Sequence, residues 1–240
     1  MDVCPEPGSG ATGNSPEGAA KVDDWFFDLH VEPGRMDVLW AEGWRQFGPL
    51  FFRYSEQEFA GGRQHILPLR IDLARFVPSK SQRRVLRRNA DLAPVWRPAV
   101  LTDEHRQVFD VHAGRFHTNV PQELEDFLGH GSSVGVPCEA RGLEVREPGT
   151  NRLMATSYVG IGRRAWSSTY AFFDPADGDR SLGIATQLWE IEAARAAGCD
   201  YLYLGYGTRE VSHYEYKRQF AGAEWFDWTS WQRSPIPRAP

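Results

Sequence analysis

Cysteine is scarce. Cys4, Cys138 and Cys199 stand far apart and form no Cys-x-x-Cys pair. That spacing argues against a disulfide framework and against a cysteine metal site, and it suits a reducing cytoplasm. No apolar run approaches the roughly 18 residues that a membrane span requires. The N-terminus has no basic start followed by an apolar core, so no secretory signal is read there. No internal repeat is visible. A net positive charge is also missing: 27 Lys+Arg face 32 Asp+Glu, a balance of −5. The chain as a whole is therefore no generic polyanion binder, and any nucleic-acid role must reside in a local patch.

What is present is enough to fold. The 240 residues suffice for one large domain or two small ones, and 41% hydrophobic with 13% aromatic residues supplies a core. Residues 1–22 are rich in Pro, Gly, Ser and Ala and predict a disordered tail. Order is expected from about Trp25, and residues 233–240 read as a frayed end. Residues 25–76 have a β-like texture. LFFRY (50–54) is a short aromatic strand, and in HILPLRIDL (65–73) Leu69, Ile71 and Leu73 share a face. Pro68 places the second strand at an edge or at its own start.

Further on, residues 102–118 and PQELEDFL (121–128) read as helices. LEVRE (143–147) and RLMATSYVGIG (152–162) flank a PGTN turn and predict a hairpin. RAWSSTYAFFD (164–174) is a further strand. A helix follows from about Leu182 to Ala197 and stops at Gly198. YLYLGY (201–206) is a strand, HYEYKRQF (213–220) a short helix and AEWFDWTSW (223–231) a last strand. This order gives an α+β or mixed α/β class. His105, His112 and His117 share one predicted helix region, with 105 and 112 on one face. No paired carboxylate accompanies them, so they read as core or solvated residues rather than metal ligands.

Two segments point to chemistry. SQRRVLRRN (81–89) gathers Arg83, Arg84, Arg87 and Arg88 into one compact positive ridge. Ser79 or Ser81 caps this helix, Pro94 ends it, and Val85, Leu86 and Ala90 are expected to face inward. The second segment runs from Phe172 to Tyr206. There a strand ends at Asp174-Pro175, and Arg180-Ser181-Leu182-Gly183 opens a helix. A glycine beside free N–H groups at a helix N-terminus suits an anion. A capped structural helix with glycine in a tight turn would look the same.

Together these motifs resemble a family. The Arg-x-x-Gly-x-Ala pattern at 180–185 is similar to the cofactor loop of GNAT acyltransferases. FVPSKSQRRVLRRNADL (76–92), YAFFDP (170–175), RSLG (180–183), YLYLGY (201–206) and YK-x-x-F (216–220) occur in the order found in aminoacyl-tRNA–protein transferases. GWRQFGPLFFR (43–53) resembles that family's N-terminal segment. The resemblance spans roughly residues 25–231. It implies a GNAT-like mixed sheet with helices on both faces over 79–232, and a small N-terminal module over 23–78. It also implies transfer of an arginyl or leucyl group from charged tRNA to the α-amine of a protein beginning with Asp or Glu. Because the ester is already activated, no cofactor beyond aminoacyl-tRNA is expected, and no metal or membrane.

The roles implied follow the motifs. Arg83, Arg84, Arg87 and Arg88 would hold tRNA phosphates. Tyr170, Phe172 and Tyr206 would wall a pocket for the terminal adenosine or aminoacyl group, with strand aromatics as core the competing reading. Arg180 and Gly183 would bind a phosphate or the ester end. Asp174 would read an ammonium or relay a proton. Tyr216 and Lys217 would polarise the carbonyl or orient the leaving hydroxyl.

The chain also departs from the pattern. The family's cysteine cluster after the position of Phe52 is absent from residues 53–68, which excludes a metal or Fe–S site there. His213-Tyr214 replaces a Lys-Met pair, Gly222 a proline, and Arg115-Phe116 an Arg-His pair. The acceptor is thus open to a peptide or a small-molecule amine. Acyl-CoA-dependent N-acyl transfer and tRNA binding without turnover stand as alternatives.

Overall fold

Alternating and aromatic segments become strands that flank a few capped helices. The computed structural model describes residues 21–59, 62–116, 123–129, 137–210 and 213–233. The tail expected over 1–22 falls outside these except at Lys21 and Val22, and Val22 N–H donates to Ser55 Oγ at 3.0 Å. His117, residues 121–122 and residues 234–240 also lie outside.

A three-stranded antiparallel sheet has the order β1 (Asp23–Phe27), β3 (Leu50–Tyr54), β2 (Arg45–Phe47). Helix α1 (Pro33–Ala41) precedes β2, a helix inside the span that reads as β-like. Proline at its first turn fits a helix start, and Met36, Leu39 and Trp40 are buried against Phe51 and Tyr203. Tertiary burial of that face decides the segment.

The larger sheet has nine strands. Its path is β12 (Trp231–Gln232), β11 (Ala223–Phe226), β5 (Gly62–Asp72), β10 (Tyr201–Thr208), β9 (Ala165–Phe173), β8 (Leu153–Ile161), β7 (Ala140–Arg146), β6 (Val95–Pro98), with β4 (Glu56–Phe59) paired to β5. The β7–β8 hairpin forms as expected. The segment 223–231 does not form one strand. It folds back as β11 and β12 around a turn in which Asp227 accepts from Thr229 and Ser230 N–H groups and Trp228 has φ 73°. Pro68 sits inside β5 opposite Tyr206, not at the start of the strand. The β11 pairing ends at Trp225–Leu69, so β5 is locally an edge at the proline.

Helices cover both faces. On one, α5 (Leu182–Ala196) buries Leu188, Ile191 and Ala194 against Leu69, Val159 and Leu202. Each buried Leu or Ile side chain contributes roughly 1.5–3 kcal/mol. On the other, α3 (Asp103–Ala113) presents Phe109 to Tyr158, Tyr170 and Phe172. The short α4 (Glu125–Leu128) adds Phe127 to the same cluster. Thr102 caps α3 in a reciprocal pair with His105. His105 and His112 are both core residues. Among the described residues no helix is long and apolar enough to cross a membrane.

The arginine helix is α2 (Lys80–Arg88), capped by Ser79 with Gln82 completing the box. Val85 and Leu86 pack inward against the α5 side. Ala90 is exposed, because the helix ends at Arg88 and Asn89 takes the buried place.

Candidate active site

Strands β9 and β10 are parallel, yet they pair only from Ala165–Tyr201 to Ser167–Tyr203. Beyond that point they part. Each carries one extra residue there: Thr169 against β8, and Leu204 against β5. Such bulges bend a strand and redirect its side chains. At the parting, two cations bond carbonyls of β9 and β10. Arg45 of β2 donates to Ser168 O at 2.7 Å and to Thr169 O at 3.3 Å. Lys217, in the 3-10 turn His213–Gln219, donates to Leu204 O at 2.8 Å and Tyr206 O at 3.2 Å. Gly205 has φ 79°, and a Cβ there would come within 2.8 Å of the Arg45 guanidinium carbon. Only glycine meets both conditions.

Glu190 reaches this parting from α5. It is buried, and its Oε1 accepts from Ser157 Oγ and, at 3.4 Å, from Ser168 Oγ. Its Oε2 is buried and has no hydrogen-bond partner. Burial pushes the Glu190 carboxyl up to about 7, opposed by the two hydroxyls and by the charges of Lys217 and Arg45. A carboxyl balanced in this way can exchange a proton near neutral pH.

The residues singled out from the sequence fall into two groups. At the parting lie Lys217, buried, and Tyr206, whose hydroxyl donates to Gly43 O at 2.9 Å. Tyr216 beside Lys217 is exposed. Tyr170, Phe172 and Tyr206 share one aromatic cluster, in which Phe127 stacks on Tyr170 at 4.0 Å. All three are buried and pack as core.

The second group surrounds the start of α5. Asp174 caps the 3-10 turn Pro175–Arg180, accepting from Ala176 N–H at 2.9 Å, and pairs with Arg152 at 2.9 Å. Arg180 forms a two-point ion pair with Asp91. Arg88 donates to Asp179 O, and Asn89 Nδ2 donates to Arg180 O at 2.9 Å. These bonds clamp α2 onto the loop that opens α5. Arg83 donates to Pro78 O, whereas Arg84 and Arg87 are exposed and make no side-chain hydrogen bond or ion pair among the described residues. A Cβ on Gly183 would sit 3.1 Å from the Phe173 ring, so this glycine lets the first turn of α5 pack on β9.

Phe173 also carries Arg115, whose guanidinium lies 4.6 Å from the ring centroid. No carboxylate among the described residues pairs with Arg115, and partial burial pulls its pKa down. Beneath it His112 accepts from Phe173 N–H at 3.1 Å. Burial, and then Arg115, push His112 down to about 4, so it is neutral.

Arg45, Glu190, Ser157 and Ser168 are not singled out by the sequence, and Arg115 is named there only within the Arg115-Phe116 pair that replaces an Arg-His pair. A faint signal existed for two of them. Arg45 lies within GWRQFGPLFFR, and Glu190 is a charge on the inward stripe of an Ala- and Leu-rich helix. Among the described residues no cluster of three His, Cys, Asp or Glu side chains is placed to hold a metal. An open depression of about 260 Å³, lined by Asp72, Arg195, Cys199 and Asp200, lies at the opposite end of β10, away from the parting.

Residues 104–227 match the family model for arginine-tRNA-protein transferase, C terminus. The chain is 34% identical over 220 residues to the aspartate/glutamate leucyltransferase of Stenotrophomonas maltophilia (strain K279a), covering 85% of this chain and 84% of that protein. It is 30% identical over 226 residues to the enzyme of the same name from Xylella fastidiosa (strain M23), covering 88% and 85%. The crystal structure of FemX superposes with a TM-score of 0.50 at 9% identity, over 83% of this chain and 70% of that one, a likeness of fold alone. With a family match over half its length and relatives aligned along most of it, the chain belongs to the arginine-tRNA-protein transferase family.

Proposed function

We propose that this aminoacyltransferase moves leucine from charged tRNA to the α-amine of acceptors that begin with Asp or Glu. The observation that carries the reading is the clamp between α2 and the loop opening α5. It fixes a basic ridge beside a helix N-terminus at the C-terminal end of β9, with Arg84 and Arg87 exposed and without an ion-pair partner among the described residues. A polyanion entering there meets fixed positive charge and free N–H groups. The names of the leucyltransferase relatives support leucine and acidic acceptors.

In this reading Arg83, Arg84, Arg87 and Arg88 hold acceptor-arm phosphates. Arg180 keeps the loop in place through Asp91, and Asp174 does so through Arg152. Tyr170, Phe172 and Tyr206 support the strands around the parting from within the core. Lys217 is committed to two carbonyls of β10, so it holds the parting open, and Tyr216 beside it faces the substrate. Arg115 reads the acidic side chain of the acceptor, since its guanidinium lies on Phe173 with no carboxylate partner among the described residues. An aminoacyl ester needs no further activation, so the protein supplies position and proton transfer.

The test is incubation with leucyl-tRNA or arginyl-tRNA and peptides bearing N-terminal Asp, Glu, Ala or Lys, read by peptide mass. Addition of one leucyl residue to the acidic peptides is the expected result. No addition from any charged tRNA overturns the reading. Acetyl-CoA binding that ignores charge reversal at Arg83 and Arg87 would point instead to an acyl-CoA enzyme.

A further inference from the structure

Resting on that reading, we propose that Ser168 is a catalytic residue, touching the acceptor amine and passing its proton to Glu190 behind it. The parting of β9 and β10 presents one hydroxyl on each side of the same carboxylate oxygen. Ser157 is fully buried and anchors Oε1 from β8. Ser168 is only half-buried, next to the bulged Thr169, and donates to the same oxygen at 3.4 Å. Of the two, Ser168 alone is not fully buried. Its backbone is fixed by Arg45, so the hydroxyl is aimed rather than free.

The charged groups acting on Glu190 are Arg45 from β2 and Lys217 from the 213–219 turn. β8 and β9 present Ser157 and Ser168, and β10 presents the Leu204 and Tyr206 carbonyls to Lys217. Each cation is thereby held in place by carbonyls. Glu190 is the group in this set that changes protonation near neutral pH.

The neutral amine nitrogen bonds to the ester carbonyl carbon, and the carbonyl π pair moves to its oxygen. One amine proton goes to Ser168 Oγ while the Ser168 proton goes to Glu190 Oε1. Collapse re-forms the carbonyl and breaks the ester C–O bond. The leaving ribose oxygen takes the proton back from Glu190 through Ser168. The products are an amide and a free ribose hydroxyl, and Glu190 is again ionised.

The experiment measures kcat at saturating leucyl-tRNA and Asp-initiated peptide as a function of pH. In the parent protein kcat rises with pH through about 7, as Glu190 ionises. Glu190→Gln, which keeps the acceptor oxygen for Ser157, is expected to lose about 100-fold in kcat and the rise with it. Ser168→Ala is expected to lose about tenfold or more and the rise as well, whereas Ser168→Thr retains both. Folded Glu190→Gln protein with parental kcat and an unchanged pH profile overturns the relay and leaves the proposed function standing. A parent protein that transfers nothing overturns both.

Discussion

Arg180 and Asp91 meet in a two-point ion pair, 2.9 Å at each contact, that ties the loop opening α5 to the end of the arginine helix. The bidentate form fixes orientation as well as distance. The pair is exposed, so its value lies in geometry more than in stability. Asp91→Ala should therefore raise KM for charged tRNA several-fold while the melting temperature stays near that of the parent. An unchanged KM would show that the clamp does not position the ridge.

Charge at the ridge makes a separate prediction. Among the described residues Arg84 and Arg87 have no ion-pair partner, and the Arg83 side chain bonds the Pro78 carbonyl. Reversing Arg83 and Arg87 to Glu should weaken tRNA binding, and the plot of log Kd against log salt should flatten by about two. Filter binding across a salt series measures it. Equal slopes would return the helix to a solvated face.

Arg115 tests acceptor choice. Arg115→Ala removes a charge-assisted contact worth about 1.5–3 kcal/mol. The expected outcome is a drop of about 10- to 100-fold in kcat/KM for peptides beginning with Asp or Glu. KM for charged tRNA should hold steady. Competition between acidic and neutral peptides reads the difference directly, and an equal loss for both would rule out this role.

Glu190 gives the fold a pH dependence. Its folded pKa of about 7 lies above the ordinary 4.5, so the folded state binds this proton more tightly than the unfolded chain. The stabilisation is fully present below about 4.5 and is lost as pH rises through about 7. The difference is worth about 3 kcal/mol. Glu190→Gln should melt higher than the parent at pH 8 and close to it at pH 5, as denaturant or thermal unfolding would reveal. A stability difference that does not vary with pH would mean that Glu190 ionises normally.

Much of the local structure was legible. The Ser79 cap, the PGTN turn of the β7–β8 hairpin and the Gly198 stop are read from a few neighbouring residues, and all form. Local rules failed where burial decided. Helix α1 lies in a span that reads as β, because packing of Met36, Leu39 and Trp40 outweighs propensity. The last strand broke in two, because the side chain of Asp227 gathers the backbone of Thr229 and Ser230 into a turn.

The sequence by itself determined the family, the arginine ridge, the loop that opens α5 and the order of the motifs, since each is a short stretch with its own chemistry. Only the tertiary structure decided the centre. Arg45, Ser168, Glu190 and Lys217 come from four distant segments, and the charged groups of Arg45, Glu190 and Lys217 matter because a parted pair of strands holds them together out of water. Burial shifts the Glu190 carboxyl, and bulges at Thr169 and Leu204 open the strands. Long-range packing produces both effects, and no local pattern of residues encodes it.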